Sequence, residues 1–504
     1  GDAAAALIAN EKDVRKRSLK RVGMYSERLA ASNNWVISGK RTFDGKAILA
    51  NDPHLHPTAP GIWYLTHLTA PGMRVSGVTF PGVPGIVLGH NEKIAWGATN
   101  VGPDVQDIVF EEFNDRNEYR TSTGWKKAKV RKETIKFRPN LLSPETVSEQ
   151  MEVLETRNGV VFREIEGKKA ALRWTALTPE NQEFEAFIKL NSAVDWSGFR
   201  NALRSYGGAT QNFIYADVNG NIGWQVAGMI PLRRKGDGSM PYDGKTNDGD
   251  WVGSIPLDEL PFLYNPPSGF IVTANQRIAG TGYEYKQVTR QIAGPWRARR
   301  IYDLISANPK ISMDDVGDIQ LDVFNIPLSG FAREILKRNA ASKNVIDILK
   351  GWDGRMTADS KGAVLANRIN SCVGNEIASK NRPAGGWQLR QFVLPFAIPN
   401  NDPLWLPEKY KSWGDFLKVC SDKTWNAIVS NKDLGPDESK WKWGKVSKAS
   451  FGHPLAAAPL IGGRFKVEFE NVNGSGQTPN VGDSVSMRFI AKPADWDQTR
   501  HVIP

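Results

Sequence analysis

Ser32-Asn33-Asn34-Trp35 is followed in order by Ala50-Asn51-Asp52-Pro53-His54, Pro81-Gly82-Val83-Pro84-Gly85, Gly89-His90-Asn91 and Ile94-Ala95-Trp96-Gly97-Ala98-Thr99-Asn100. Asp104-Val105-Gln106-Asp107 closes the block. Short apolar runs punctuated by Gly, Pro and Asn read as β-strands joined by tight turns. The spacing predicts strands over 35–38, 47–50, 62–69, 74–80 and 85–89.

On the N-terminal side, residues 1–31 read as a helix, rich in alanine and free of proline. On the C-terminal side, 105–175 reads as further strands with charged turns. Residues 196–205 have helical spacing, 212–227 form a hairpin about the turn 217–221, and 230–270 are loop-rich. Helical periodicity then takes over at 298–305, 313–324, 329–338, 345–351 and 361–378, and strand-like texture returns after about 449. Strands, then helices, then strands predict an α+β fold rather than alternating βαβ units.

The chain has 504 residues, 40% hydrophobic and 24% charged, which excludes wholesale disorder. Its length would allow about three domains or one large fold. No apolar run reaches the ~18 residues that span a membrane, so no stable membrane anchor is expected in this chain. The net charge of +11 is scattered among acids except for Lys12, Arg15, Lys16, Arg17, Lys20 and Arg21. Nucleic-acid binding, which wants a concentrated basic stripe, is therefore not expected. Two cysteines, Cys372 and Cys420, permit one internal disulfide and exclude a zinc site built from four cysteines.

General catalytic signatures are missing. There is no G-x-S-x-G elbow and no H-E-x-x-H helix. Gly244-Lys245-Thr246 ends like a phosphate-binding loop, but Ser239 stands where that motif requires glycine. His54 and His56 lack a second ligand cluster at zinc spacing. No organic cofactor is expected.

The block from Ser32 to Asp107 closely resembles the start of the β-chain in the penicillin acylase family of N-terminal-nucleophile (Ntn) hydrolases. The likeness continues at Tyr215-Ala216-Asp217-Val218-Asn219-Gly220-Asn221-Ile222-Gly223, at Thr273-Ala274-Asn275-Gln276-Arg277 and at Pro295-Trp296-Arg297-Ala298-Arg299-Arg300-Ile301. Several motifs in one order are far more specific than any single one. The resemblance implies a four-layer αββα sandwich with a helical insertion at about 298–440. Residues 1–31 would be the tail of an α-chain or a linker, and 32–504 a β-chain shortened at its C-terminus. The partner would be the chain's own α-chain, a heterodimer cut from one precursor.

The same resemblance implies the chemistry. Ser32, freed by self-cleavage, would be the nucleophile, and its α-amine the base. An α-amine titrates near ~8, so a useful fraction is neutral at pH 7 and no separate histidine is required. Ala31 departs from the glycine that many relatives carry before the serine. Asn275, through its side chain, and Asn100, through its backbone N–H, would be the oxyanion donors. Arg297 would support Asn275. His54, 22 residues after Ser32, would orient or polarise the serine and its amine.

Leu55, Leu88 and Ala98 match positions that line the acyl pocket. Leu55 and Leu88 stand where phenylacetyl-specific relatives carry aromatics. An aliphatic pocket gains about 0.8 kcal/mol per buried CH₂ of a fatty acyl chain. Asp104, Gln106, Asp107 and Pro231 match part of a structural Ca²⁺ site found in some relatives, and the remaining ligands have no match. The expected activity is hydrolysis of a linear amide in a penicillin-like or related N-acyl compound through an acyl-enzyme. Two alternatives are an acyl-homoserine lactone acylase and a silent or unprocessed relative that only binds ligand. Family analogy implies a periplasmic or secreted protein.

Overall fold

The computed structural model describes residues 31–503 apart from 56, 141–142, 166, 290, 379–387, 459 and 470. The helix expected over 1–31 therefore lies outside the described residues except for Ala31, which opens a strand.

That strand, Ala31–Ile37, is an interior strand, second from one edge of a five-stranded antiparallel sheet. It pairs with Phe270–Thr273 on one side and Ile48–His54 on the other, with Arg488–Ala491 and Arg500–Val502 beyond. A seven-stranded antiparallel sheet faces it, in the order Phe262–Tyr264, Ile222–Ala227, Gln211–Asp217, Ile94–Asn100, Leu88–Asn91, Met73–Thr79 and Tyr64–Ala70.

The period-two alternation of strand side chains then assigns the layers. Val36 and Leu49 point into the core between the two sheets. Trp35, Ile37, Ile48 and Ala50 point the other way, against Ile301 and Ile305 of the helix Trp296–Ala307 and Val316 and Ile319 of the helix Met313–Leu321. Phe213 and Tyr215 cover the outer face of the larger sheet. Tyr215 packs 5.2 Å from Phe199 of the helix Trp196–Leu203, and Phe213 packs 5.0 Å from Tyr206 just beyond it. Helices, sheet, sheet, helices is the expected four-layer order.

The strands expected over 105–175 form most of a separate six-stranded sheet from Lys129–Phe137 to Tyr242–Asp243, including Gln106–Glu111. The segment 230–270 holds four short strands as well as loops, among them Pro231–Arg233 paired with Trp251–Ser254.

The expected helical segment divides in two. The helices Trp296–Ala307 and Met313–Leu321 are the sandwich's own outer layer. A second core, made only of helical-region side chains, runs from Val323 to Trp443. It is built on Ile326–Lys337, Lys343–Lys350, Lys361–Ala378 and Trp413–Val429. A Cys372–Cys420 disulfide joins the last two of these helices.

Candidate functional site

Ser32 is the second residue of the strand Ala31–Ile37, is buried, and faces the seam between the sheets. Its backbone N–H donates to the Asn275 Oδ1 at 2.7 Å. Asn275 follows the strand Phe270–Thr273 and holds a left-handed backbone (φ 65°), a conformation asparagine tolerates better than most residues. The buried Arg297, near the start of the helix Trp296–Ala307, reaches the same cluster. Its Nη2 donates to Asn275 Oδ1 at 3.0 Å, and its Nη1 donates to the Ser32 carbonyl at 2.8 Å and to Asn33 Oδ1 at 2.6 Å.

A guanidinium only donates, so the atom facing it must be the Asn275 oxygen. The Asn275 Nδ2 is thereby aimed away, at the Asn100 carbonyl oxygen 2.8 Å distant. Ser32, Asn275, Arg297 and Asn100 thus form one bonded group drawn from four separate segments. Burial pushes Arg297 down to about 10, which leaves it cationic at neutral pH. The Ser32 hydroxyl donates to the Ala31 carbonyl oxygen at 2.6 Å.

His54 ends the strand Ile48–His54 and pairs with Ala31. By that register it shares the helix-facing side with Ala31, Asn33 and Asp52, opposite to the side on which Ser32 lies. It is buried, and neither ring nitrogen has a hydrogen-bond partner among the described residues. Burial, then the Arg297 and Arg488 charges, hold it well below the ordinary histidine range, so the ring is neutral.

Between the sheets lies a polar layer for which the sequence reading made no provision. Asn51 donates to the Asn33 carbonyl at 2.9 Å and the Ala98 carbonyl at 3.1 Å, and accepts from the Ala98 N–H at 2.9 Å. Gly97 makes that approach feasible, since a Cβ there would stand 2.8 Å from Asn51 Oδ1. Asn34 donates to the Asn212 carbonyl at 3.2 Å and accepts from the Thr273 hydroxyl, which also bonds Thr99 at 2.7 Å. The signal was present: asparagines inside otherwise apolar strands are tolerated only where their amides are satisfied. On the helix-facing side, Asp52 accepts from Gln320 at 2.5 Å, and burial pushes its carboxyl up to about 7.

Leu88 is buried in the core between the two sheets and Leu55 is partly buried against it, whereas Ala98, although buried, points to the helix-covered outer face of the larger sheet, away from the Ser32 seam. In register, Ala98 lies beside Phe213. Asp104 and Asp107 are gathered not around open space but around the guanidinium of Arg233, a residue the sequence reading did not single out. Both Asp107 carboxylate oxygens already accept from it. That donor set does not fit a calcium ion, which takes about six to eight oxygens and no cationic neighbour.

A family model described as Penicillin amidase matches residues 2–504. Penicillin acylase 2 proenzyme of Pseudomonas sp. (strain SE83) is 26% identical over 495 residues, covering 94% of this chain and 63% of that protein. Acyl-homoserine lactone acylase QuiP of Pseudomonas fluorescens (strain Pf0-1) is 27% identical over 518 residues, covering 92% and 62%. This chain therefore spans a little under two thirds of the length of either relative. Among solved structures, a thermostable penicillin G acylase from Alcaligenes faecalis superposes with a TM-score of 0.72 at 19% identity, over 91% of this chain and 87% of that one. The α+β fold is shared with that Ntn hydrolase.

Proposed function

The chain belongs to the penicillin amidase family, and from that premise we propose that it carries the nucleophile of an N-acyl amide hydrolase centred on Ser32. One observation carries this reading: Asn275 Oδ1 is locked by Arg297 while it receives the Ser32 N–H. That arrangement holds the serine nitrogen and a side-chain amide within one rigid, buried group before any substrate arrives.

In the proposed maturation, the Ser32 hydroxyl attacks the Ala31 carbonyl carbon, the peptide bond shifts to an ester, and water hydrolyses it. The new α-amine then takes the hydroxyl proton during attack on a substrate amide. The acyl group passes to Oγ, the amine leaves with the proton, and water releases the acid by the reverse sequence. Asn275 Nδ2, which donates to the Asn100 carbonyl here, and the Asn100 N–H would serve the oxyanion once substrate displaces that contact. A donor of this kind contributes about 3–4 kcal/mol. Asn275 is in turn positioned by Arg297.

The test is expression of the full precursor followed by intact-mass measurement and N-terminal sequencing. Ser32 as a mature N-terminus, with an acyl adduct on that residue from a reactive amide, is the expected result. An intact Ala31–Ser32 bond and no adduct would leave only the silent, ligand-binding reading.

Leu55 and Leu88 favour an aliphatic acyl group over an aromatic one. Both names among the relatives, penicillin acylase and acyl-homoserine lactone acylase, are consistent with N-acyl substrates. Release of amine from a chain-length series of acyl-homoserine lactones, set against phenylacetyl amides, separates the two. The proposed partner is an α-chain from the same precursor, and the proposed compartment is periplasmic or extracellular. The Cys372–Cys420 disulfide supports export, since such bonds persist in oxidising compartments. Cell fractionation tests that assignment.

A further inference from the structure

We propose that the guanidinium of Arg233 is the built-in cation of this protein, standing where a calcium ion would otherwise neutralise Asp104 and Asp107, so that folding and maturation need no metal. Arg233 ends the strand Pro231–Arg233, and a register shift between Leu232 and Arg233 turns its side chain inward. Its Nε donates to Asp107 at 3.0 and 2.9 Å. Its Nη2 donates to the Asp104 carbonyl at 3.1 Å and lies 3.6 Å from an Asp104 carboxylate oxygen. The Trp251 indole N–H supplies a further donor to Asp107 at 2.6 Å.

The pair is dry: 2% of the Arg233 side chain and none of the Asp107 side chain is exposed. A buried carboxylate needs a counter-charge, and a guanidinium whose Nε–H is shared between its two oxygens supplies one without any ion. A doubly charged ion added here would have to displace three hydrogen bonds and approach a fixed positive charge. The chain above the pair is shaped to it as well. Gly238 has φ +82°, and a Cβ there would stand 2.6 Å from Arg233 Nη2 and 2.7 Å from Asp107 Oδ1. No side chain can occupy that position without prising the pair apart.

The location gives the pair its function. Asp104 and Asp107 follow closely on Asn100, and the intervening segment is also tied down by Val101 N–H to the Thr210 carbonyl at 3.1 Å and Gln291 N–H to the Gly102 carbonyl at 2.7 Å. Arg233 anchors the far end of that segment to the Pro231–Arg233 strand. It is a positioning residue for the backbone of Asn100.

The test uses the mature enzyme from its full precursor. Metal content is measured by inductively coupled plasma mass spectrometry, and thermal melting is followed with EDTA and with added CaCl₂. The expected wild-type result is well under one calcium per molecule and a melting temperature unmoved by either reagent. One tightly held calcium per molecule, or a lower melting temperature in EDTA, overturns the proposal. Arg233→Met removes the cation while keeping the apolar stem. Its melting temperature is expected to fall and then to rise with added calcium, as Asp104 and Asp107, having lost the guanidinium charge, recruit the ion. Arg233→Met melting like the wild type in EDTA would also overturn it.

Discussion

Arg297 and Asn275 are joined by one hydrogen bond of 3.0 Å whose direction fixes a second residue's chemistry. Because the arginine can only donate, the asparagine amide has one orientation, with its oxygen toward Ser32 and its NH₂ toward Asn100. The orientation of a side chain expected to handle an oxyanion is thus imposed from the helix layer rather than by the substrate.

Replacing Arg297 by lysine keeps a charge and loses the fork. One amine cannot serve Ser32, Asn33 and Asn275 together from the same position. We expect kcat to fall by about 10-fold or more with KM little changed, read from steady-state kinetics of the matured variant. An effect confined to KM would remove the positioning role.

Asn275→Ala is expected to lower turnover by about 100-fold or more. Ser32→Ala is expected to abolish both self-cleavage and turnover, visible as a single uncut species by mass spectrometry. Normal turnover in either variant contradicts the mechanism.

Asn51→Ala strips three hydrogen bonds from the seam between the sheets. It leaves buried carbonyls and an N–H unpaired, so a loss on the order of 3 kcal/mol is expected, measured by urea denaturation. A loss below about 1 kcal/mol would mean that water replaces the amide there.

Asp52→Asn tests the buried carboxyl. Its value is raised from 3.8 to about 7, with burial as the leading cause. Between those values the folded state binds more protons than the unfolded one, so this group's contribution to stability falls as pH rises from about 4 to 7 and is level above. The variant should therefore gain on the wild type by an amount that grows across that window, up to a few kcal/mol at pH 8. Taking the difference between the two proteins cancels the opposite slope from the buried neutral His54. A pH-independent difference would show that Asp52 titrates normally.

Strands of both sheets of the sandwich were legible because apolar alternation and turn residues agree over 35–38, 47–50 and 74–80. The helix Glu183–Asn191 was not, since its buried Ala186, Phe187 and Leu190 lie in a charged stretch and Gln182 caps it with no side-chain bond. Residue numbers alone put His54 near the nucleophile. The pleat, which number counting ignores, turned its ring to the other face of the sheet. Arg233 was hidden in Pro231-Leu232-Arg233-Arg234-Lys235, which reads as a solvated basic turn. Only the strand register with Trp251 distinguishes the buried arginine from its exposed neighbours.

A chain end is ordinarily the most restless part of a protein. A cut before Ser32 would make an end of a different kind, because the residues that follow it are laced to strands on both sides: Ile37, for example, lies between Ile48 and Phe270. The freshly made terminus could not fray. Its amine and hydroxyl would start each turnover already aligned, and the reaction would lose little freedom on reaching its transition state.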